Sequence, residues 1–259
     1  MSTFNEITGV NAGEITQSPN YVKPTRASHA DQLQLVRRWR LAPAVHVGCQ
    51  IMSISTRRIL LAGIALLTLH CAIGGAAPLV EKGREQIGVT TGYDPAYRKI
   101  GYPAGDVPMQ TGVCSDVVVR AFRGLKIDLQ KEVHDDMVKA FDQYPRKWGL
   151  KRPDANIDHR RVPNLMTYFE RKGWSVALSK QAADFHADDV VAWDLGGGVT
   201  HIGIVSDRRS AAGTPLVVHN IGQGVHEEDL LFACKIIGNY RPQFSLEQVG
   251  AANAAPPHR

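Results

Sequence analysis

Three residue types set in one order are able to break an amide bond: a cysteine, a histidine and a further polar residue. The chain carries them as Cys114, His201 and His219. Cys114 stands in Thr111-Gly-Val-Cys-Ser-Asp-Val-Val-Val-Arg-Ala-Phe122, where a glycine turn runs into an apolar, helix-periodic segment. In the first turn of a helix, unpaired N–H groups and the helix dipole favour the thiolate over the thiol. His201 takes the proton, the sulfur attacks the carbonyl, and the imidazolium then protonates the leaving amine. Backbone N–H groups at the helix start are the expected oxyanion donors. A third polar group, His219 or its neighbour Asn220, holds the imidazole in the productive tautomer. Two other readings of Cys114 stand beside this one. It is a small buried apolar residue, or it pairs with Cys234 in an oxidising compartment.

The elements that must position these groups are readable from periodicity. Thr111 or Ser115 is the expected cap of the cysteine helix. Val117, Val118, Ala121, Phe122 and Leu125 form its apolar stripe. From Trp174 the period shortens towards two. Residues 174–178, 190–194, 199–206, 216–220 and 233–237 read as strands. Turns at Gly196-Gly-Gly198 and at 207–213 make the connections short, which predicts an antiparallel meander and an α+β class. Along 199–206, Val199, His201, Gly203 and Val205 share one face, and Thr200, Ile202 and Ile204 the other. Gly203 leaves room beside His201 for a backbone or a substrate. Pairing of 199–206 with 215–220 makes His201 and His219 cross-strand or diagonal neighbours. Asp189 leads the strand 190–194 and is an auxiliary candidate.

Earlier in the chain, residues 79–90 read as an amphipathic helix with Leu79, Val80, Ile87 and Val89 inward. Residues 93–108 form a long loop in which Tyr93, Tyr97 and Tyr102 are placed to line a substrate groove or to pack the loop down. Leu129, Val133, Met137 and Phe141 recur every four residues, as in a helix. His134, Asp135 and Asp136 point about 100° apart on that helix, so they read as a solvated face and not a metal site. His159-Arg160-Arg161 binds a carboxylate or phosphate, caps the next helix, or pairs with Asp154 and Asp158. That helix starts at Pro163 and stops at Gly173. The tail from Ser245 reads as disordered.

The N-terminal part reads as a leader. Arg57-Arg58, the apolar run Ile59–Leu69 and Gly74-Gly-Ala-Ala77 have the layout of a secretory signal, with cleavage expected after Ala76. The apolar run falls short of the ~20 residues of a membrane span. Translation is expected to start at Met52. Residues 1–51 are then a non-native extension, or else a cytoplasmic tail on an uncleaved anchor. Residues 1–77 hold seven of the 30 basic residues and three of the 25 acidic ones. The 23 basic and 22 acidic residues that remain leave a net charge near +1, which gives no basis for nucleic-acid binding.

Gly112-Val-Cys114-Ser-Asp-Val-Val-Val-Arg-Ala121, Asp188-Asp-Val-Val-Ala-Trp193, Thr200-His-Ile-Gly-Ile-Val205 and Val218-His-Asn220 resemble the core of papain-like cell-wall cysteine peptidases of the NlpC type. More closely, residues from about 79 to 241 resemble a secreted bacterial family catalogued as domain of unknown function 1287. Leu129-Gln, His134–Met137, Tyr144-Pro145 and Asp158–Asn164 carry that closer likeness. The resemblance implies a papain-like α+β domain over 78–244, its Cys-bearing helix packed on an antiparallel sheet of about four to six strands. It implies Cys114 as nucleophile, His201 as base and His219 as orienting residue. Auxiliary candidates are Asp116, Asn220, Asp189, Tyr93, Tyr102 and Arg160. NlpC-type enzymes carry Asp immediately before the cysteine; here Val113 stands there, and Asp116 comes two residues after. The expected protein is a periplasmic or secreted monomeric amidohydrolase acting on peptidoglycan or another peptide amide, without cofactor or metal. A thiol acyltransferase and an inactive cell-wall binding protein on the same fold are the alternatives. A metal hydrolase built on His201, His219 and His226 lacks a recognisable ligand spacing.

Overall fold

The computed structural model describes residues 77–245 together with Glu247, Gln248 and Gly250. The leader expected over 52–77 lies outside them except for Ala77, as does most of the tail. The described chain is α+β, with four α-helices and a five-stranded antiparallel sheet. In chain order it runs α1 (Pro78–Arg84), β1 (Gly92–Tyr93), β2 (Thr111–Gly112), α2 (Cys114–Gly124), α3 (Leu129–Ala140), α4 (Val162–Arg171), then β3 (Val190–Gly196), β4 (Val199–Arg209), β5 (Pro215–Asn220), β6 (Val225–Glu228) and β7 (Lys235–Tyr240). A 3₁₀ turn, Asp158–Arg160, precedes α4. The strand order is β6-β5-β4-β3-β7, and β1 pairs with β2 in a separate parallel ribbon. No helix among the described residues is long and apolar enough to cross a membrane.

The alternation read from β4 divides the core in two. Ile202, Ile204 and Val218 face the helices, where Val117, Val118 and Phe122 of α2 meet them. Val205, Val217, Val191 and Trp193 face away, under Phe185 and Leu231. The Trp193 Nε1–H donates to the Leu231 carbonyl at 2.9 Å, so the one polar atom of that ring is satisfied. The expected stripe of α2 is buried throughout, with Val117, Val118, Phe122 and Leu125 each contributing roughly 1.5–3 kcal/mol of apolar burial and Ala121 less.

Three expectations are corrected. Neither Thr111 nor Ser115 caps α2: the Ser115 hydroxyl donates to the Arg160 carbonyl at 2.7 Å, and Asp116 Oδ2 accepts the Val113 N–H at 2.7 Å. Helix α1 stops at Arg84, leaving Ile87 and Val89 42% and 45% exposed. Residues 174–178 make a single bridge, Ser175 to Tyr240, because Trp174 turns in against Phe122 and Phe169 instead of continuing along the sheet. Just before the expected tail, Phe244 packs on Phe122. Strand β6 was not expected, since its Val-His-Glu-Glu sequence follows a glycine-rich loop and lacks an apolar period.

Candidate active site

The candidate site forms where two strands part. β4 pairs with β5 from Ile204 onwards, opposite Val218. Towards Ile202 the pairing lapses, and Asn220 at the end of β5 points its amide to the helix side, as Val218 does. Asn220 Nδ2 donates to the Gly112 carbonyl at 3.0 Å and to the Gly92 carbonyl at 3.1 Å. This ties the ribbon that delivers Cys114 to the mouth of the fork. The Cys114 sulfur lies against the Ile202 N–H, and against the N–H groups of Cys114 and Ser115 in the first turn of α2.

The two histidines lie on the other face of β4 and β5, as their odd-numbered positions require. His201 Nε2 and His219 Nδ1 are 3.0 Å apart, and the His201 ring lies 5.7 Å from Trp193. Gly203 sits between them for a steric reason. A Cβ there would meet Val217 Cγ1 at 2.7 Å and His219 Cβ at 3.1 Å. The space expected for a substrate is occupied by the neighbouring strand. Among the described residues no hydrogen bond joins Cys114 to either ring. The link between them is backbone, since Ile202, the residue after His201, holds the sulfur.

Burial decides the protonation states. Cys114 is 5% exposed, and burial pushes its thiol up to about 12, against the lowering effect of the surrounding N–H groups. His201 is pushed well below the usual imidazole range, first by burial and then by His219. His219 is lowered to about 3 by burial and by His226, which pairs opposite it on β6. The resting site is therefore a neutral thiol beside a neutral histidine pair. The helix dipole, expected to favour the thiolate, is outweighed by desolvation. His219 Nε2 is buried without a hydrogen-bond partner, and His201 Nδ1 makes no hydrogen bond to the described protein.

A charged clamp stands one turn away. Arg160 Nε and Nη2 donate to the two oxygens of Asp116, each at 2.9 Å. The same guanidinium donates to the Ala96 carbonyl at 3.0 Å and to the Asp94 carbonyl at 3.1 Å. Asp116 also takes the Val113 N–H. One ion pair thus joins the cap of α2, the 3₁₀ turn and the tyrosine loop. Burial opposes the Arg160 charge, and Asp116 more than restores it.

Cys114 opens into a cavity of about 630 Å³, also lined by Tyr93, Tyr97, Trp148, Asp154 and Thr200. The Tyr93 hydroxyl makes no hydrogen bond among the described residues. Burial, then Cys114, raises its pKa, so it stays protonated and able to donate.

Of the candidate residues, Cys114, Tyr93 and Arg160 come together at the cavity with Asp116 paired to Arg160, and His201 and His219 meet each other behind it. Three candidates serve elsewhere. Asp189 is fully buried in an ion pair with Arg241, at 2.7 Å, because it closes β3 against the end of β7. Tyr102 lies outside the cavity, its hydroxyl donating to Asp135 at 3.0 Å and its ring edge-on to His134. Asn220 braces the ribbon and makes no hydrogen bond to His201. The His159-Arg160-Arg161 run does not act as one anion site: His159 is buried, Arg160 is in the clamp, and Arg161 pairs with Asp158 and lies 4.3 Å over the Trp148 ring. Cys114 and Cys234 are both free thiols, so the disulfide reading is set aside. Sequence reasoning missed the Ile202 N–H, a backbone donor with no side-chain signal, and the places of Thr200 and Trp148 in the cavity wall.

The fold and site define an α+β protein whose helix-borne, buried cysteine opens into an aromatic-lined cavity. The chain belongs to the family described as "Domain of unknown function (DUF1287)", whose model matches residues 80–242. It is similar to "Uncharacterized protein YijF" of Escherichia coli (strain K12), with 56% identity over 163 residues, 63% of this chain and 80% of that protein.

Proposed function

We propose that the chain is an exported cysteine amidohydrolase on a divergent papain-like fold of the NlpC type, acting on peptide amide bonds such as those of peptidoglycan. The observation that carries the reading is the fork: a helix-terminal cysteine facing a cavity, its sulfur held by the amide next to a histidine that is itself paired at 3.0 Å with a second histidine. Chemistry on Cys114 needs a lone pair on His201 Nδ1. That places the proton of His201 on Nε2, donated to His219 Nδ1, and gives His219 the orienting role. Because thiol and imidazole are both neutral at rest and no hydrogen bond joins them, substrate binding must bring Cys114 and His201 within reach, directly or through one water, so that the proton passes to His201 as the C–S bond forms. The carbonyl electrons move to oxygen, where the Tyr93 hydroxyl and the first-turn N–H groups are the available donors. Collapse breaks the C–N bond, and the amine leaves with the proton from His201. Water then hydrolyses the thioester by the same steps.

The test is digestion of purified muropeptides by the wild type and by Cys114→Ala. The wild type is expected to give new products by mass spectrometry and the variant none; identical digests overturn the reading. An added amine that captures the acyl group separates transfer from hydrolysis. Export rests on the layout of residues 52–77, and an intact mass beginning at Ala77 in a periplasmic fraction checks it. A second reading, a cell-wall binding protein without catalysis, draws support from the neutral thiol with no hydrogen bond to His201. It is expected to retain muropeptides unaltered.

A further inference from the structure

The segment Arg146-Lys-Trp-Gly-Leu-Lys-Arg152 forms one wall of the cavity through Trp148 and Leu150. Trp148 and Gly149 both adopt left-handed φ, 64° and 66°, a costly choice for tryptophan. Arg161 lies on the Trp148 ring, and the side chain lines the cavity. The four flanking cations, Arg146, Lys147, Lys151 and Arg152, are exposed. Among the described residues none of them makes an ion pair or a hydrogen bond. The nearby carboxylates are engaged by other groups. Asp158 pairs with Arg161, and Asp154 accepts from the Tyr97 hydroxyl and from Asn156. The described domain is close to neutral, yet four exposed cations without ion-pair partners flank, in sequence, the two residues that line the cavity wall.

We propose that residues 146–152 bind the carboxylates of an acidic peptide whose backbone runs on into the Cys114 cavity. This deepens the amidohydrolase reading and rests on it for the position of the scissile bond. An anionic membrane is the other surface that exposed Lys and Arg beside a tryptophan would fit. The peptide is favoured because Trp148, although 46% exposed, is held against Arg161 and lines the cavity together with Leu150 and Cys114. Whatever fills the cavity against Trp148 and Leu150 is therefore continuous with what meets the four cations. Long, mobile cations flanking a cavity wall act mainly through Coulomb attraction, so their contribution is salt-dependent.

The experiment measures fluorescence anisotropy of a fluorescein-labelled glutamate-rich peptide and of its glutamine counterpart, on Cys114→Ala protein. The variant for comparison adds Arg146→Gln, Lys147→Gln, Lys151→Gln and Arg152→Gln, with circular dichroism to confirm folding. The pair Lys147→Gln and Lys151→Gln is the milder substitute if the fourfold variant unfolds. The glutamate peptide is expected to bind more tightly than the glutamine peptide. Its affinity is expected to fall with added salt, and by on the order of tenfold in the fourfold variant. Equal affinity for both peptides overturns the proposal, as does unchanged affinity in the variants. Sedimentation with phosphatidylglycerol vesicles in the absence of peptide binding overturns it in favour of a membrane. Binding by the Cys114→Ala protein is independent of turnover, so a failed digestion and a failed binding experiment are distinguishable.

Discussion

Two buried polar clusters meet α2 two residues apart, one at Cys114 and one at Asp116, yet they hold opposite charge states. His201 and His219 are 2% and 1% exposed, and Arg160 and Asp116 are 7% and 3% exposed. The first cluster has no countercharge, so desolvation keeps its thiol and imidazoles neutral. The second has a bidentate partner and main-chain groups on nearly every donor and acceptor, so it is an ion pair. Burial alone does not fix charge; the partner does. The consequence for reactivity is direct. A site that needs an imidazolium only during the reaction is kept free of charge at rest, while the scaffold around it is held by permanent charge.

The largest test of this contrast is Asp116→Ala. It leaves a buried guanidinium without its partner and Val113 without its cap, at a cost of about 3–5 kcal/mol in urea denaturation. The double variant Asp116→Ala/Arg160→Ala is expected to cost much less than the sum of the two single changes. Simple additivity would mean that the clamp is not a coupled unit.

Next comes pH. His219 is lowered from 6.5 to about 3 in the folded protein. The unfolded chain therefore binds more protons between those values, and stability falls as pH falls through that window. The pair contributes its full share above about pH 6.5. The slope per group approaches about 1.4 kcal/mol per pH unit. His219→Gln is expected to flatten the decline between pH 6.5 and 4.5. An unchanged slope would assign the loss to other groups, His159 first, which burial lowers to about 4. A smaller effect, about 1–3 kcal/mol, is expected for Gly203→Ala, because the added Cβ overlaps Val217 Cγ1 and crowds His219. A thermal shift within error would mean that β4 and β5 can part further than they do here.

The α2 stripe, the β4 alternation, the glycine turn at 196–198 and the His201–His219 pairing were all legible, because each is a local period or a short connection. The charge states were not. A helix terminus is visible in sequence, and desolvation is visible only once the sheet has closed over the cysteine. Asp116 was legible as an oddity, displaced from the position before Cys114. Its meaning needed Arg160, 44 residues away, to be brought against it. Asp189 misled because its position before a strand is the same whether it serves a site or, as here, neutralises Arg241. The role of Asn220 depends on two carbonyls more than a hundred residues earlier, and no spacing encodes that.

The smallest expected effect on stability belongs to Cys234→Ser, within about 0.5 kcal/mol, since Cys234 is half-buried at the rim of the outer core and unpaired. Its value lies in what it reveals about Cys114. In the wild type, iodoacetamide near pH 8 is expected to label Cys234 first. Burial raises the Cys234 thiol too, but that residue is far more accessible than Cys114. In Cys234→Ser protein the remaining label on Cys114 should appear slowly, and its rate should climb about tenfold per pH unit up to about pH 10 without a plateau. His201→Ala should leave that rate unchanged, because a neutral imidazole lends the resting thiol no charge. If Cys114 instead labels first, or if His201→Ala slows it tenfold, the two clusters are not opposites. The fork then holds a thiolate–imidazolium pair at rest, and the base has acted before any substrate arrives.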